Sequence, residues 1–276
     1  GVFYTGGTTG SPKGVMLSHR NLYTNSMAIL AEGGIARGCT GLHAAPMFHL
    51  ADGCFMNAML ASGGTHVMLP RFEPLAVLEA MQNEKVSAAL LVPTMIQMLV
   101  DHPERGRYDL GHFRNMLYGA SPISEGLLDR AMQALPSAGF TQLYGMTELS
   151  PMATMLTPEM HREVGRQLGR HRSAGRAAMG CEVRIVDALG QEVARGGVGE
   201  VAVRGPGVMM GYWNKPLETA AAVRDGWMFT GDGGRMDEDG YVYIVDRLKD
   251  MIVTGGENVY SAEVESALAT HTGVAS

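Results

Sequence analysis

The sequence predicts an α/β protein with a doubly wound, largely parallel sheet, followed by an antiparallel, β-barrel-like unit and the start of a further unit. In the first part, short apolar runs alternate with segments of helical periodicity, which is typical of βαβ units. From residue 177 onward, strand-like runs are separated by Gly-rich turns, which favours antiparallel pairing. We therefore expect an α/β part over 1–176, a β-rich subdomain over 177–246 and a new unit over 247–276.

Apolar spacing and capping residues divide the first part into strands and helices. Ser18 suits the N-cap of a helix over 19–31, and Ser124 suits that of a helix with apolar residues at helical spacing. Proline suits the first helical position, which predicts two further helices, over 74–82 and after Pro93. The predicted strands are 2–4, 86–92, 114–118 and 140–144.

The second part contains short alternating apolar runs and no segment that favours a strong helix. Strand-like runs occur at 183–185, 201–203 and 241–245. The acidic turn 237–240 is too short for a calcium loop, so we expect a solvated hairpin there. Further on, Ser261 can cap a helix that continues into the last residues.

Composition and charge argue against several classes of protein. The 276 residues carry a net charge of −6, and no Lys/Arg run marks a surface for nucleic acid or anionic membranes. The longest apolar stretch, 86–100, is interrupted by a proline and polar residues and is too short to span a bilayer. The three cysteines are far apart, which indicates neither a disulfide framework nor a zinc site. We expect a globular protein of a reducing compartment, the cytoplasm.

A Gly-rich loop near the beginning is the strongest candidate for binding phosphate. Residues 4–14 read Tyr-Thr-Gly-Gly-Thr-Thr-Gly-Ser-Pro-Lys-Gly, so backbone N–H groups, hydroxyls and an ammonium can face an anion. It is not a Walker loop, because Lys13 is flanked by Pro12 and Gly14. A Gly-rich turn without a ligand is the alternative. The candidate phosphate-binding residues are Thr5, Gly6, Gly7, Thr8, Thr9, Gly10 and Lys13.

Two further candidate segments follow predicted strands of the parallel sheet, where such folds bind ligands. In segment 144–148 the tyrosine can stack on a purine, the threonine hydroxyl can meet a phosphate and the carboxylate can hold Mg²⁺. Its alternative is a buried tyrosine with capping residues, and segment 119–121 alone is an ordinary turn. The candidates are Gly119, Ala120, Ser121, Tyr144, Gly145, Met146, Thr147 and Glu148.

The β-rich part carries one more candidate ligand. Asp232 lies beside a glycine after a strand-like run, and its carboxylate can accept hydrogen bonds from both hydroxyls of a ribose. An aspartate in a β-turn is the alternative.

Taken in order, these segments resemble the signatures of adenylate-forming enzymes, the group of acyl-CoA synthetases, luciferases and peptide-synthetase adenylation domains. The Gly-rich loop, Tyr-Gly-Met-Thr-Glu at 144–148, Trp-Met-Phe-Thr-Gly-Asp at 227–232 and Asp-Arg-Leu-Lys-Asp at 246–250 carry the resemblance. It covers nearly the whole chain, which is most like a fatty-acyl- or aryl-CoA ligase. It implies that 1–246 belong to a large AMP-binding domain whose beginning is missing, followed by a hinge and a truncated C-terminal lid domain.

The resemblance also implies a role for each matching residue. Those that would act in adenylation are Thr8, Lys13, Thr147 and Glu148, the last holding Mg²⁺. Those that would bind adenosine or lie at the hinge are Tyr144, Asp232, Arg247 and Lys249. Those that would line the pantetheine tunnel are Gly255, Gly256 and Glu257. His49 would gate the acyl pocket, and the segment 211–216 is interpreted as structural.

The activity implied by the resemblance uses ATP, Mg²⁺ and CoA as a co-substrate. A carboxylic acid would become an acyl-AMP and then a CoA thioester, and His49 in place of an amine-binding aspartate argues for a hydrophobic acid. Two alternatives remain: an adenylation enzyme that loads a carrier protein, and a nucleotide-binding fragment without turnover. For the assembly we consider a homodimer. The family's catalytic C-terminal lysine has no match here, so we expect the 276-residue chain alone to be nearly inactive.

Overall fold

The computed structural model describes residues 1–5, 12–247, 252–254, 257–259 and 268. The strands are β1 Val2–Thr5, β2 Lys13–Met16, β3 Thr40–His43, β4 Thr65–Met68, β5 Ala88–Leu91, β6 Asn115–Gly119, β7 Gly139–Gly145, β8 Met152–Leu156, β9 Arg176–Ala177, β10 Glu182–Val186, β11 Val198–Arg204, β12 Gly211–Tyr212, β13 Val223–Arg224, β14 Trp227–Met236, β15 Val242–Arg247, β16 Ile252–Thr254 and β17 Glu257–Val259. The helices are α1 His19–Glu32, α2 Leu50–Ser62, α3 Pro74–Asn83, α4 Pro93–Val100, α5 Glu125–Ala134, α6 Pro158–His161, α7 Glu163–Gln167 and α8 Pro216–Ala222.

The largest sheet confirms the predicted doubly wound fold. Its strand order is β4-β3-β5-β6-β7-β8-β9, parallel from β4 to β7 and antiparallel over the last two pairs. Alternate residues of β5 face opposite sides, since Ala89 and Leu91 pack with α3, α4 and α5. Ala88 and Leu90 pack instead with α1 and α2. Both faces of the sheet are therefore covered by helices, as parallel sheets require.

The second sheet is antiparallel, as predicted, and curls into a half-barrel. Its order is β10-β11-β14-β13, and β15 pairs with the far end of β14. The acidic turn joins β14 to β15 as the expected hairpin, because Asp237 Oδ1 accepts hydrogen bonds from the backbone N–H groups of Asp239 and Tyr241. Helix α8 is a difference from the sequence prediction, which placed no strong helix here. Pro216 stands at its first position, where the missing N–H costs nothing.

A third, small sheet holds the ends of the Gly-rich loop. β1 and β2 pair antiparallel, with Thr5 opposite Lys13, so the loop joins two neighbouring strands rather than a strand and a helix. β12 adds to the other side of β2, with Tyr212 opposite Val15. A segment almost two hundred residues away is thereby fixed beside the loop.

The predicted helix starts are confirmed at the capping residues. Ser18 Oγ accepts a hydrogen bond from Asn21 N at 3.2 Å, and Ser124 Oγ accepts one from Leu127 N at 3.3 Å. Among the described residues, none of the helices combines the length and apolar character that crossing a membrane requires. The helix predicted after Ser261 lies outside the described residues, apart from Leu268.

Candidate functional site

The candidate phosphate loop is described at its two ends. Thr5 and Lys13 face each other across β1 and β2. The Lys13 ammonium lies 4.4 Å from the centroid of the Tyr212 ring, within the range of a cation–π contact. The predicted site residues that lie outside the described residues are Gly6, Gly7, Thr8, Thr9, Gly10, Lys249, Gly255 and Gly256.

The carboxyl ends of β6 and β7 lie side by side, as the sequence predicted. Gly119 pairs with Leu143, and a Cβ at Gly119 would stand 2.2 Å from the Leu143 carbonyl oxygen, so a side chain does not fit. The next residue, Ala120, has a φ of 67°, an uncommon conformation for a residue with a side chain. Together with the exposed Ser121, it forms an open backbone turn beside the end of β7.

Tyr144 and Asp232, 88 residues apart in the sequence, meet at this edge. The Tyr144 hydroxyl donates a hydrogen bond to Asp232 Oδ2 at 2.7 Å, and both residues are partly buried. Asp232 lies within β14 and not after a strand, at an irregularity where three residues of β14 oppose one residue of β11. Gly231, with a φ of 76°, permits this bulge and turns the aspartate toward the first sheet.

The strand pairing also brings Arg247 next to Asp232. The two residues are direct partners across β14 and β15, which places the predicted ribose-binding pair at one position of the sheet. For Arg247 and Glu257 the structure describes the backbone; Glu257 pairs with Thr254 in the hairpin of β16 and β17.

Glu148 is buried, with 4% of its surface exposed. It lies with Thr147 in a short 3₁₀ turn after β7, and Met146 precedes this turn. Glu148 Oε1 accepts a hydrogen bond from the Tyr212 hydroxyl at 2.7 Å, and no described Lys, Arg or His pairs with this carboxylate. Burying a carboxylate without a cationic partner costs free energy. The Glu148 carboxylate therefore suits a bound cation.

A magnesium ion fits this arrangement. Mg²⁺ commonly binds through one or two carboxylates together with waters and substrate phosphates. Within the described part of the chain, no group of three or more His, Cys, Asp or Glu residues could hold a metal by itself. The site can therefore offer Glu148 as one protein ligand to a cation that ATP phosphates would also bind.

His49 lies at the N-cap of α2. Its Nδ1 accepts a hydrogen bond from Ala51 N at 3.3 Å, and the side chain is exposed, as is that of Phe48. The structure places His49 at the end of the loop that follows β3, a carboxyl edge of the parallel sheet, where a ligand crevice is expected.

Asp52 is fully buried and engaged by histidine. His43 Nδ1 donates a hydrogen bond to Asp52 Oδ2 at 3.0 Å, and His43 Nε2 lies 2.9 Å from His66 Nδ1. In the sequence Asp52 lies three residues after His49, the residue that stands in place of an amine-binding aspartate. The structure gives it a different partner, inside the core.

Tyr212 is the contact residue that sequence reasoning missed. The sequence indicates only a structural segment over 211–216, yet Tyr212 contacts both Lys13 and Glu148. A tyrosine between a glycine and a tryptophan near no charged motif gives no local signal of such contacts. They arise only when β12 pairs with β2.

The model of the AMP-binding enzyme family matches residues 1–213. The chain is 42% identical over 274 residues to a feruloyl-CoA synthase from Amycolatopsis, covering 99% of the chain and 54% of that relative. The chain thus spans about half the length of the curated relatives it matches.

Two solved structures share the fold over almost the entire chain. One is o-succinylbenzoate CoA synthetase from Bacillus subtilis in complex with its acyl-adenylate intermediate, with a TM-score of 0.89, 34% identity and coverage of 99% of this chain and 54% of that one. The other is an amide bond synthetase from Marinactinospora thermotolerans, with a TM-score of 0.88, 36% identity and coverage of 98% and 53%. The chain belongs to the AMP-binding enzyme family of adenylate-forming proteins.

Proposed function

We propose that the natural full-length protein activates a hydrophobic carboxylic acid with ATP and transfers the acyl group to CoA. The acid's carboxylate attacks the α-phosphorus of ATP, the bond to the β-phosphate breaks, and pyrophosphate leaves. The thiolate of CoA then attacks the carbonyl carbon of the acyl-AMP, and AMP leaves. The observation that carries this proposal is the meeting of Tyr144 with Asp232 and of Tyr212 with both Glu148 and Lys13.

Each of these side chains suits one part of the nucleotide. Asp232 would accept hydrogen bonds from the ribose hydroxyls, and Tyr144, oriented by its bond to Asp232, would present its ring to adenine. Lys13 would bind phosphate at the end of the Gly-rich loop. Mg²⁺, held by Glu148, would supply neutralisation of the phosphate charge. Such catalysis acts by positioning and electrostatics and needs no protein nucleophile.

The acid is proposed to lack a charged amine. Asp52 is the aspartate nearest in sequence to His49, which would gate the acyl pocket. It is buried and bonded to His43. A carboxylate with no exposed surface is not available to bind an ammonium group of a substrate. The likeness to a feruloyl-CoA synthase supports an aryl acid.

The first experiment is exchange of radiolabelled pyrophosphate into ATP, measured with a panel of acids and the natural full-length protein. We expect exchange with hydroxycinnamic acids or with fatty acids, and none with the corresponding α-amino acids. Exchange that depends only on amino acids would contradict the substrate class. Absence of exchange with every acid would contradict adenylation itself.

The acceptor is tested separately. Purified acyl-AMP is offered with CoA, with a carrier protein bearing phosphopantetheine, and with a simple amine. We expect the thioester of free CoA to form fastest. The likeness to an amide bond synthetase makes the amine a necessary comparison. Faster reaction with the amine or the carrier protein would keep the adenylation step and replace the acceptor.

A further inference from the structure

Tyr212 connects the two charged groups that the proposed function assigns to Mg²⁺ and phosphate. Its hydroxyl donates to Glu148 Oε1 at 2.7 Å, while the Lys13 ammonium lies 4.4 Å from the centre of its ring. We infer that Tyr212 is a positioning residue for Mg·ATP, which fixes the Glu148 carboxylate through its hydroxyl and Lys13 through its ring. This inference rests on the proposed function, since it deepens the assignment of the same site.

The backbone around Tyr212 is held on both sides. Tyr212 pairs with Val15 on the strand that leaves the Gly-rich loop, and its N–H donates to Thr219 Oγ1 at 2.9 Å. The neighbouring Met209 N–H donates to the carbonyl oxygen of Glu148, also at 2.9 Å. The distance between the loop strand and the turn that carries Glu148 is thus set by one short segment.

The direction of the hydrogen bond leaves one carboxylate oxygen for the metal. The Tyr212 hydroxyl is the donor in this hydrogen bond. An ionised carboxylate only accepts hydrogen bonds. With Oε1 occupied by this donor, no described residue donates to Oε2. The Tyr212 hydroxyl therefore fixes the orientation of the carboxylate that would hold Mg²⁺.

The ring has a separate function. Tyr212 is 4% exposed, so its face offers Lys13 an apolar support that attracts the ammonium without neutralising it. A carboxylate in that place would form an ion pair and reduce the charge offered to phosphate. Tyr212→Phe removes the hydroxyl and keeps the ring, whereas Tyr212→Leu removes both. Comparing the two variants separates the effect on metal binding from the effect on phosphate binding.

The test measures equilibrium binding of ATP to the natural full-length protein, without acid substrate, by titration calorimetry. The dissociation constant is determined with excess chelator and again with excess Mg²⁺. The dissociation constant in chelator divided by that in Mg²⁺ measures how much Mg²⁺ strengthens ATP binding. In Tyr212→Phe this ratio should fall by about 10- to 100-fold, the loss expected for a hydrogen bond to a charged group. The constant in chelator should stay unchanged because the ring remains. Tyr212→Leu should also weaken ATP in chelator, by about 2- to 30-fold.

Tyr118→Phe is the matched control. It removes another buried phenol hydroxyl, bonded to His161 at 2.7 Å, from outside the site. Both dissociation constants should be unchanged, whatever the shift in thermal unfolding. If Tyr212→Phe weakens ATP equally with and without Mg²⁺, or not at all, the inference is wrong while the proposed function stands. If the wild-type protein binds no ATP, the proposed function fails and takes this inference with it.

Discussion

At the scale of single residues, Asp232 illustrates how a local irregularity produces a contact. The bulge at Gly231 lets Asp232 N donate to Thr230 Oγ1 at 3.1 Å and turns its carboxylate toward the Tyr144 hydroxyl. A regular strand would alternate side chains strictly between its two faces. The bulge instead places the aspartate where the two sheets meet.

We therefore expect Asp232→Ala to abolish most ATP-dependent exchange. The ribose hydroxyls would lose a charged acceptor, at a cost of about 2–4 kcal/mol, or one and a half to three decades in turnover. The measurement is pyrophosphate exchange at saturating acid. Asp239→Ala, in the exposed turn of the same hairpin, is the control and should retain normal rates. Unchanged exchange in a folded Asp232→Ala protein would remove ribose binding from its function.

A second residue, His161, should make stability depend on pH. Its Nδ1 donates to Thr157 O at 2.9 Å, so Nε2 is the acceptor of the Tyr118 hydroxyl, and burial lowers the pKa of His161 from 6.5 to about 4. His161 binds a proton more readily in the unfolded chain than in the folded protein. The stability that the neutral, buried His161 contributes is therefore present above pH 6.5 and is lost as the pH falls toward 4. The loss should reach about 3 kcal/mol.

The measurement is urea unfolding between about pH 7 and pH 4.5, compared with His161→Gln. The difference in unfolding free energy between the two proteins should shrink as the pH falls. Other groups that titrate in this range act on both proteins and cancel in the difference. A difference that stays constant across the range would mean that His161 does not titrate as described.

At the scale of elements, the close pairing of β6 and β7 leaves no room for a side chain at Gly119. Its Cβ would meet the Leu143 carbonyl oxygen at 2.2 Å, and a backbone atom of a central strand cannot move away cheaply. We expect Gly119→Ala to lower the free energy of unfolding by about 1–3 kcal/mol, as overpacked sites do. Gly106→Ala is the control, because a Cβ there would contact nothing within 4 Å. Equal stability of the two variants in urea would show that the strands can separate locally.

Sequence patterns predicted the elements that have a clear period or a cap. They missed β3, α2 and β4 because none of these has a distinctive pattern. β3 is four residues long, and α2 is buried over most of its surface, including Asp52 and Gly53, so its apolar residues do not follow one stripe. The partly buried edge strand β4 likewise lacks alternation, with a histidine in its interior.

The candidate site was predictable residue by residue but not as a set of contacts. Tyr144, Glu148 and Asp232 each lie in a recognisable segment. Their partners are 64 or 88 residues away, and no spacing rule links them. The contacts depend on the bulge in β14 and on the pairing of β12 with β2, both of which are tertiary features.

At the scale of the whole molecule, hydrogen bonds that are at least partly buried join the α/β part to the β-rich part. Asn21, on the first helix, donates to the carbonyl oxygens of Pro206 and Val208 at 2.6 and 3.0 Å. The backbone N–H of Ala174 donates to Val242 O at 2.7 Å, which attaches β15 to the segment before β9. These bonds are lost if either part unfolds alone, and unpaired buried groups are costly. The two parts should therefore unfold together.

This expectation can be tested with the 276-residue chain, because two probes report on different parts. Of its two tryptophans, Trp227 lies in β14 of the β-rich part and Trp213 follows β12 in the small third sheet, while α1 to α7 lie in the α/β part. A chain of this length need not unfold in one step, so coincidence of tryptophan fluorescence and far-UV circular dichroism in urea is informative. We expect the two midpoints to coincide.

Asn21→Ala should lower the free energy of unfolding reported by both probes equally, by about 1–3 kcal/mol. Asn83→Ala, exposed at the end of α3, is the control and should change neither. Separate midpoints, or a shift of only one of them, would mean that the two parts are independent and that the hydrogen bonds of Asn21 do not couple them.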